Sequence, residues 1–179
     1  MKLKTNTSGN PTAIILIGPM GCGKTTIGKL LKEQTGWQFM DADDYHPQAN
    51  IDKMAAGLAL NDEDRHPWLL RLRAMIDKSI IRKTPIILAC SALKQSYRET
   101  LGIDQQKIVS VYLKGDPDLL ASRIGNRSHQ YMNKGLLDSQ LATMEEPDGG
   151  LTVDIGTTPE SIVSEIITTI QARTSTVRK

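Results

Sequence analysis

Residues 13–28 of this 179-residue chain read Ala-Ile-Ile-Leu-Ile-Gly-Pro-Met-Gly-Cys-Gly-Lys-Thr-Thr-Ile-Gly, and they limit the possible folds sharply. Five apolar, mostly β-branched residues make a strand buried on both faces, which belongs in a parallel sheet. Gly18, Gly23, Lys24 and Thr25 then meet the spacing G-x-x-x-x-G-K-[ST]. Gly18 starts a tight turn off the strand, and Gly21 and Gly23 let the backbone bend with no Cβ in the way. Successive N–H groups then face inward and cradle a polyphosphate. A helix starting at Lys24 adds its free N–H groups and the positive end of its dipole. Lys24 is expected to reach the β- and γ-phosphates, and Thr25 to offer its hydroxyl to Mg²⁺. The candidate nucleotide set is Gly18, Gly21, Cys22, Gly23, Lys24, Thr25 and Thr26. The bland alternative is a glycine-rich turn that binds nothing. The strand before and the amphipathic helix after argue against it.

What surrounds this stretch is an ordinary globular chain. The length suits one domain with its own core. A hydrophobic fraction of 39%, a charged fraction of 23% and a net charge of +2 give no reason to expect nucleic acid or membrane as partner. No apolar run approaches the roughly 20 residues of a membrane span. Cys22 and Cys90 are too far apart to form a zinc-ligand spacing. A reduced, cytoplasmic setting is the expectation. Residues 1–11 and 173–179 are polar and expected to be loose.

Five apolar runs alternate with helical patterns. The strands are expected at 13–17, 37–41, 84–90, 108–113 and 151–155, with the third, continuously apolar, in the centre. The helices are expected at 24–34, 47–56, from 61 or 62 to about 82, after 94, from 117, at 137–145 and at 160–171. This is an α/β fold, a five-stranded parallel sheet flanked by helices.

The second strand runs into Asp41-Ala-Asp-Asp-Tyr-His-Pro. Acidic residues just past a strand's C-terminal end lie where open α/β sheets bind ligands. On an extended stretch Asp41 and Asp43 face the same side. Asp41 suits Mg²⁺, and Asp43 suits accepting the proton of an attacking hydroxyl. The competing reading is that one of them caps the next turn. No aspartate closes the third strand, which shifts the metal role onto Thr25 and Asp41. Lys53, Arg65, Lys94 and Arg98 are cations available to an anionic acceptor, Lys94 and Arg98 on one helical face. Arg65 and His66 stand either as ligands or as part of a solvated first helical turn. The stretch at about 123–136 is basic, polar and poor in core pattern. With Arg123 and Arg127 four apart, it is expected to form a helical lid over nucleotide phosphates. Cys22, inside the loop, is a candidate for oxidation that would block nucleotide binding, or else a buried side chain pointing away.

Gly18-Pro-Met-Gly-Cys-Gly-Lys-Thr-Thr, Asp41-Ala-Asp-Asp-Tyr-His-Pro, Leu60-Asn-Asp-Glu-Asp-Arg-His-Pro-Trp-Leu, Cys90-Ser-Ala-Leu-Lys-Gln-Ser-Tyr-Arg and Gln140-Leu-Ala-Thr-Met-Glu-Glu-Pro stand in the order of the gluconokinase family. The chain resembles that family over most of residues 13–170. It also resembles, more broadly, the P-loop kinases of the nucleoside monophosphate kinase fold. The resemblance implies transfer of the ATP γ-phosphoryl group to the 6-hydroxyl of D-gluconate by a cytoplasmic homodimer. In that reading Lys24, Asp43 and Arg127 act in catalysis. Arg123 and Arg127 meet the nucleotide, and Asp43, Lys53, Arg65, Lys94 and Arg98 meet the sugar acid. Phe39-Met-Asp-Ala-Asp43 also resembles shikimate kinase, but that family's Gly-Gly-Gly loop after the third strand is missing here, where Cys90-Ser-Ala-Leu-Lys stands instead. A reading of another class is a nucleotide-binding regulator without catalysis, opposed by the presence of Lys24, Thr25, Asp41 and Asp43.

Overall fold

The computed structural model describes residues 10–125 and 134–176. Strands β1 (Ala13–Ile17), β2 (Gln38–Asp41), β3 (Ile86–Ala89), β4 (Ile108–Lys114) and β5 (Leu151–Asp154) form one sheet in the order β2-β3-β1-β4-β5. All four pairings are parallel, with Ala13 opposite Ile86 on one side and Ile108 on the other. Helices α1 (Lys24–Thr35), α2 (Gln48–Ala55), α3 (Asp62–Arg82), α4 (Gln95–Leu101), α5 (Pro117–Gly125), α6 (Lys134–Thr143) and α7 (Pro159–Thr176) connect and cover the strands.

The chain goes from β1 to β2 and β3 on one side, then crosses to β4 and β5 on the other. The crevice beyond the strand ends at such a reversal is where this architecture binds ligands. β1, not β3, is the middle strand, and all five of its residues are buried. β3 lies next to it, buried throughout, with a neighbour on each side. That is the central, non-edge position expected for its continuously apolar run.

The sheet separates two cores. One holds Ile14 and Leu16 with Ile27 and Leu31 of α1 and Ile162, Val163, Ile166 and Ile167 of α7. The other holds Ala13, Ile15 and Ile17 with Trp68, Leu69, Leu72 and Ile76 of α3 and Leu101 of α4. The alternation along β1 sends successive side chains to opposite layers. Burial of apolar surface in these two cores, at about 25 cal/mol per Å², is the main favourable contribution to folding.

Element ends follow local chemistry. Gly36 stops α1 in the left-handed conformation at φ 77° and donates to Lys32 O. Trp37, expected in β2, instead donates its N–H to Thr35 Oγ1 at 3.1 Å and belongs to the turn. Asn61 caps α3, its side chain taking the N–H of Asp64 while Asp64 takes the N–H of Asn61, both at 2.8 Å. α6 starts at Lys134 and ends at Thr143, not at 145, because the N–H of Glu145 turns away to Leu93 O at 2.9 Å.

Candidate active site

The phosphate loop leaves β1 with Gly18, Gly21 and Gly23 at φ 143°, 81° and 96°. Gly18 has no room for a side chain, since a Cβ would lie 2.9 Å from Cys22 Sγ and 3.0 Å from Leu113 O. Lys24 folds over the loop, its Nζ donating to Gly18 O at 2.8 Å and to Pro19 O at 3.0 Å. This is a loop braced by its own lysine. Cys22 is buried, 1% exposed, with Sγ turned toward Gly18, so of its two readings the buried one holds. Cys90 is also buried, which pushes its thiol up to about 12, and neither cysteine is open to oxidants.

Asp41 joins the loop helix to the acidic turn. Its Oδ2 accepts from Thr25 Oγ1 at 3.1 Å and its Oδ1 accepts the N–H of Asp43 at 3.2 Å. Asp41 therefore caps this turn with one oxygen and holds Thr25 with the other. Residues Ala42–Tyr45 form a 3₁₀ turn, not the extended stretch expected, so alternation does not set the direction of Asp43. Asp43 still lies beside Asp41. Its titration is pushed upward by the protein mass around it and next by the Asp41 carboxylate. Its side chain is 86% exposed, so the like charge is the firmer of these causes.

The turn rests on groups that the sequence reading did not assign. His46 stacks on Trp68, ring centroids 4.3 Å apart, and Trp68 Nε1 donates to Ala42 O at 2.8 Å. Burial lowers the His46 pKa, with Asp43 opposing, so the ring is neutral near pH 7. Asn50 Nδ2 reaches His46 Nδ1 at 3.3 Å and Asp64 O at 2.9 Å, which ties this turn to the head of α3. The signal for His46 was the stretch Asp41–Pro47 itself, but a stacking partner 22 residues on leaves no local trace.

The head of α3 gathers the expected cations and pairs them. Lys53 bonds Asp64 at 2.5 Å, and Lys94 bonds both oxygens of Asp62 at 2.9 and 2.7 Å. Tyr97 donates to Asp62 at 2.5 Å and accepts from Arg65 Nη1 at 3.3 Å. The bond from Lys94, then that from Tyr97, holds the Asp62 carboxyl below its ordinary range. The bond from Lys53, then the Asn61 N–H, does the same for Asp64. His66 is exposed on α3 and makes none of these contacts among the described residues.

Lys94 and Arg98 do not share a face. Lys94 is the N-cap of α4 and turns to Asp62. Arg98 is 3% exposed, and its Nη1 donates to Ala92 O and Leu93 O, both at 3.0 Å. Its Nη1 is taken up by the β3–α4 loop, where Ala92 sits at φ 39°, while its buried Nη2 has no hydrogen-bond partner among the described residues. The cause is burial: a guanidinium out of water has to find carbonyls.

Arg123 ends α5 and donates to Ile155 O at 2.8 Å. It lines a pocket with Gly21, Gly23 and Thr26 on one side and Thr157, Pro159 and Ile162 on the other. Thr157, in the turn before α7, and Pro159 and Ile162, at the start of that helix, belong to no motif in the sequence. Arg127 and most of the expected lid lie outside the described residues.

A phosphate loop on the middle strand, a hydroxyl–carboxylate pair beside it and an arginine-walled pocket define the P-loop kinase class. The family model described as shikimate kinase matches residues 20–171. The chain is 38% identical to a probable gluconokinase of Xenopus tropicalis, over 86% of this chain and 90% of that one. It is 36% identical to a gluconokinase of Arabidopsis thaliana, over 93% and 95%. A gluconokinase structure from Sinorhizobium meliloti 1021 superposes with a TM-score of 0.81 at 33% identity, covering 95% of this chain and 97% of that one. The fold is thus that of an ATP-dependent phosphotransferase. The chain belongs to the gluconokinase family.

Proposed function

We propose that the protein transfers the γ-phosphoryl group of ATP to the 6-hydroxyl of D-gluconate, giving 6-phospho-D-gluconate. The observation that carries the acceptor is the cluster at the head of α3. Of three cations, Lys53 pairs with Asp64 and Lys94 with Asp62, which leaves Arg65, bonded to Tyr97 Oη, as the charge of this cluster without an ion pair among the described residues. That charge matches the single carboxylate of gluconate. The carboxylates and Tyr97 add acceptors and a donor for the hydroxyls.

Lys24 is the group to meet the transferring phosphoryl, and to do so it releases two loop carbonyls and Cys22 Sγ. Phosphoryl transfer is mostly positioning and charge neutralisation, so this contact is worth most in the transition state. Asp43 takes the proton of the attacking hydroxyl, and the Asp41 charge beside it keeps it basic. Thr25 Oγ1 and Asp41 Oδ2 are hard oxygen donors 3.1 Å apart, which fits Mg²⁺ completed by water and phosphate oxygens. When bound, Mg²⁺ neutralises charge on the β- and γ-phosphates. The pocket walled by Arg123 and Pro159 is assigned to the nucleotide base, and Arg127 to the phosphates. The active form is assigned as a cytoplasmic homodimer of single-domain chains.

Release of ADP with Mg²⁺–ATP against D-gluconate, other aldonic acids, glucose, shikimate and nucleoside monophosphates tests the proposal. Turnover with gluconate far above the rest is expected. Turnover with shikimate or a nucleotide instead overturns the acceptor assignment and leaves the ATP site standing.

A further inference from the structure

Two side chains outside the chemistry just described reach the two loops that carry it. Gln140 of α6 accepts the N–H of Met20, inside the phosphate loop, at 2.7 Å. Glu145, just past α6, accepts the N–H of Gln95 at the start of α4 at 2.5 Å. Its own N–H donates to Leu93 O at 2.9 Å, the carbonyl that Arg98 grips from the other side at 3.0 Å.

Packing shows the path between these contacts. Leu137, 2% exposed, and Leu141 pack in the core layer of α1 and α7. Met144 packs against the opposite layer, that of α3 and α4. Residues 137–145 therefore pass over the C-terminal edge of the sheet from one layer to the other. They touch the loop after β1 on the way and the loop after β3 on arrival. A third loop-side anchor, Gly18 N–H to Ser91 O at 3.2 Å, joins the same two loops directly at their base.

We propose that residues 140–145 are a strap that sets the spacing of the phosphate loop against the loop of residues 91–94. Gln140 and Glu145 are positioning residues for phosphoryl transfer, which deepens the kinase reading and rests on it. In-line transfer is steep in geometry, and a misplacement of about 1 Å costs on the order of 100-fold in rate. Each strap contact is a single hydrogen bond, the one at Glu145 strengthened by its charge. Neither side chain needs to touch a substrate to matter.

The test uses Gln140→Ala, Glu145→Ala, Glu145→Gln and the double alanine variant, each with two readouts. The first is residue-resolved amide exchange of the nucleotide-free protein. Glu145→Ala is expected to speed exchange at Gln95 and also at Met20, whose own partner is untouched. Gln140→Ala is expected to do the reverse. Glu145→Gln keeps an oxygen for Gln95 and stays near wild type. Exchange that changes only at each variant's own partner overturns the strap. The second readout is steady-state kinetics on gluconate. The two single alanine variants are expected to lose about ten-fold or more in kcat with both KM values within about three-fold, and the double variant to lose no more than the worse single. Additive losses carried in KM overturn the proposal, as does a Glu145→Gln as poor as Glu145→Ala. Wild-type protein that fails to turn over gluconate strikes the proposed function instead, and the exchange experiment still decides the strap.

Discussion

Asp41 uses both of its oxygens, one for Thr25 and one for the N–H of Asp43, so it builds the acidic turn and charges it at once. A like charge makes the neighbouring carboxyl harder to ionise, so the Asp43 pKa is raised. A base with a raised pKa is protonated sooner as pH falls. The acid limb of kcat/KM is then expected above the ordinary carboxylate range. Asp41→Asn removes the like charge, and its limb should move to lower pH even where its maximal rate is reduced. A limb that stays put in that variant removes Asp43 as the titrating base. Asp43→Asn is the direct counterpart: kcat is expected to fall by about 10²–10⁴ while ATP binding, read by titration, changes little. Near-normal kcat would refute the assignment. Lys24→Ala is expected to lower kcat by about 10²–10³, the cost of one preorganised transition-state donor. Its far-UV spectrum should not change, since Lys24 Nζ braces the phosphate loop and no helix or strand.

At the level of elements, Arg98 sorts binding from support. It holds two carbonyls of a loop that contains a left-handed alanine, and it is buried. Charge-assisted hydrogen bonds are worth about 1.5–3 kcal/mol each. Arg98→Ala is expected to cost about 2–4 kcal/mol in denaturant unfolding, and Arg98→Lys to recover only part, because one ammonium cannot match the fork. A stability loss below about 0.5 kcal/mol, with KM for gluconate raised, would return Arg98 to the ligand set. The same residue shows what a sequence makes legible. β1, the phosphate loop, α1 and the start of α3 could be read because their signals are local: glycines at fixed offsets, a cap residue at 61 or 62 and apolar periodicity. Asp41 and Asp43 could be placed at a strand end, but not the 3₁₀ turn, because a side chain competing for a backbone N–H decides it. Lys53 and Lys94 could be named as cations, yet their partners Asp64 and Asp62 lie 11 and 32 residues away. Arg98 reads like any helical surface arginine until α4 is docked and buries it. The crossing of residues 137–145 from one core to the other belongs to the same class: only the assembled sheet has an edge to cross.

At the scale of the whole molecule, the parts of the site hang from one sheet. The phosphate loop follows β1, the acidic turn follows β2, the 91–94 loop follows β3, and α3 packs beneath the last two. A ligand that binds these parts together binds only the folded chain, so its affinity adds to global stability. Mg²⁺–ATP at 100 times its dissociation constant is expected to add about 2.7 kcal/mol. For a chain of this length each kcal/mol is worth about 2–4 °C, so Tm should rise by about 5–10 °C. Gluconate alone should raise Tm in proportion to its own occupancy, through the cations at the head of α3. Glucose at the same concentration should not, because it lacks the carboxylate those cations need. The acid side carries its own check. Asp62 and Asp64 have lowered pKa values, so the stability their pairs supply is present above the ordinary carboxylate range and lost as pH falls through the lowered values. The gluconate-dependent shift in Tm should disappear earlier on that descent, in the ordinary carboxylate range, where the ligand's own carboxylate protonates while Asp62 and Asp64 are still ionised. A gluconate shift equal to that from glucose at neutral pH would place the sugar acid somewhere other than the head of α3, whatever the turnover assay finds.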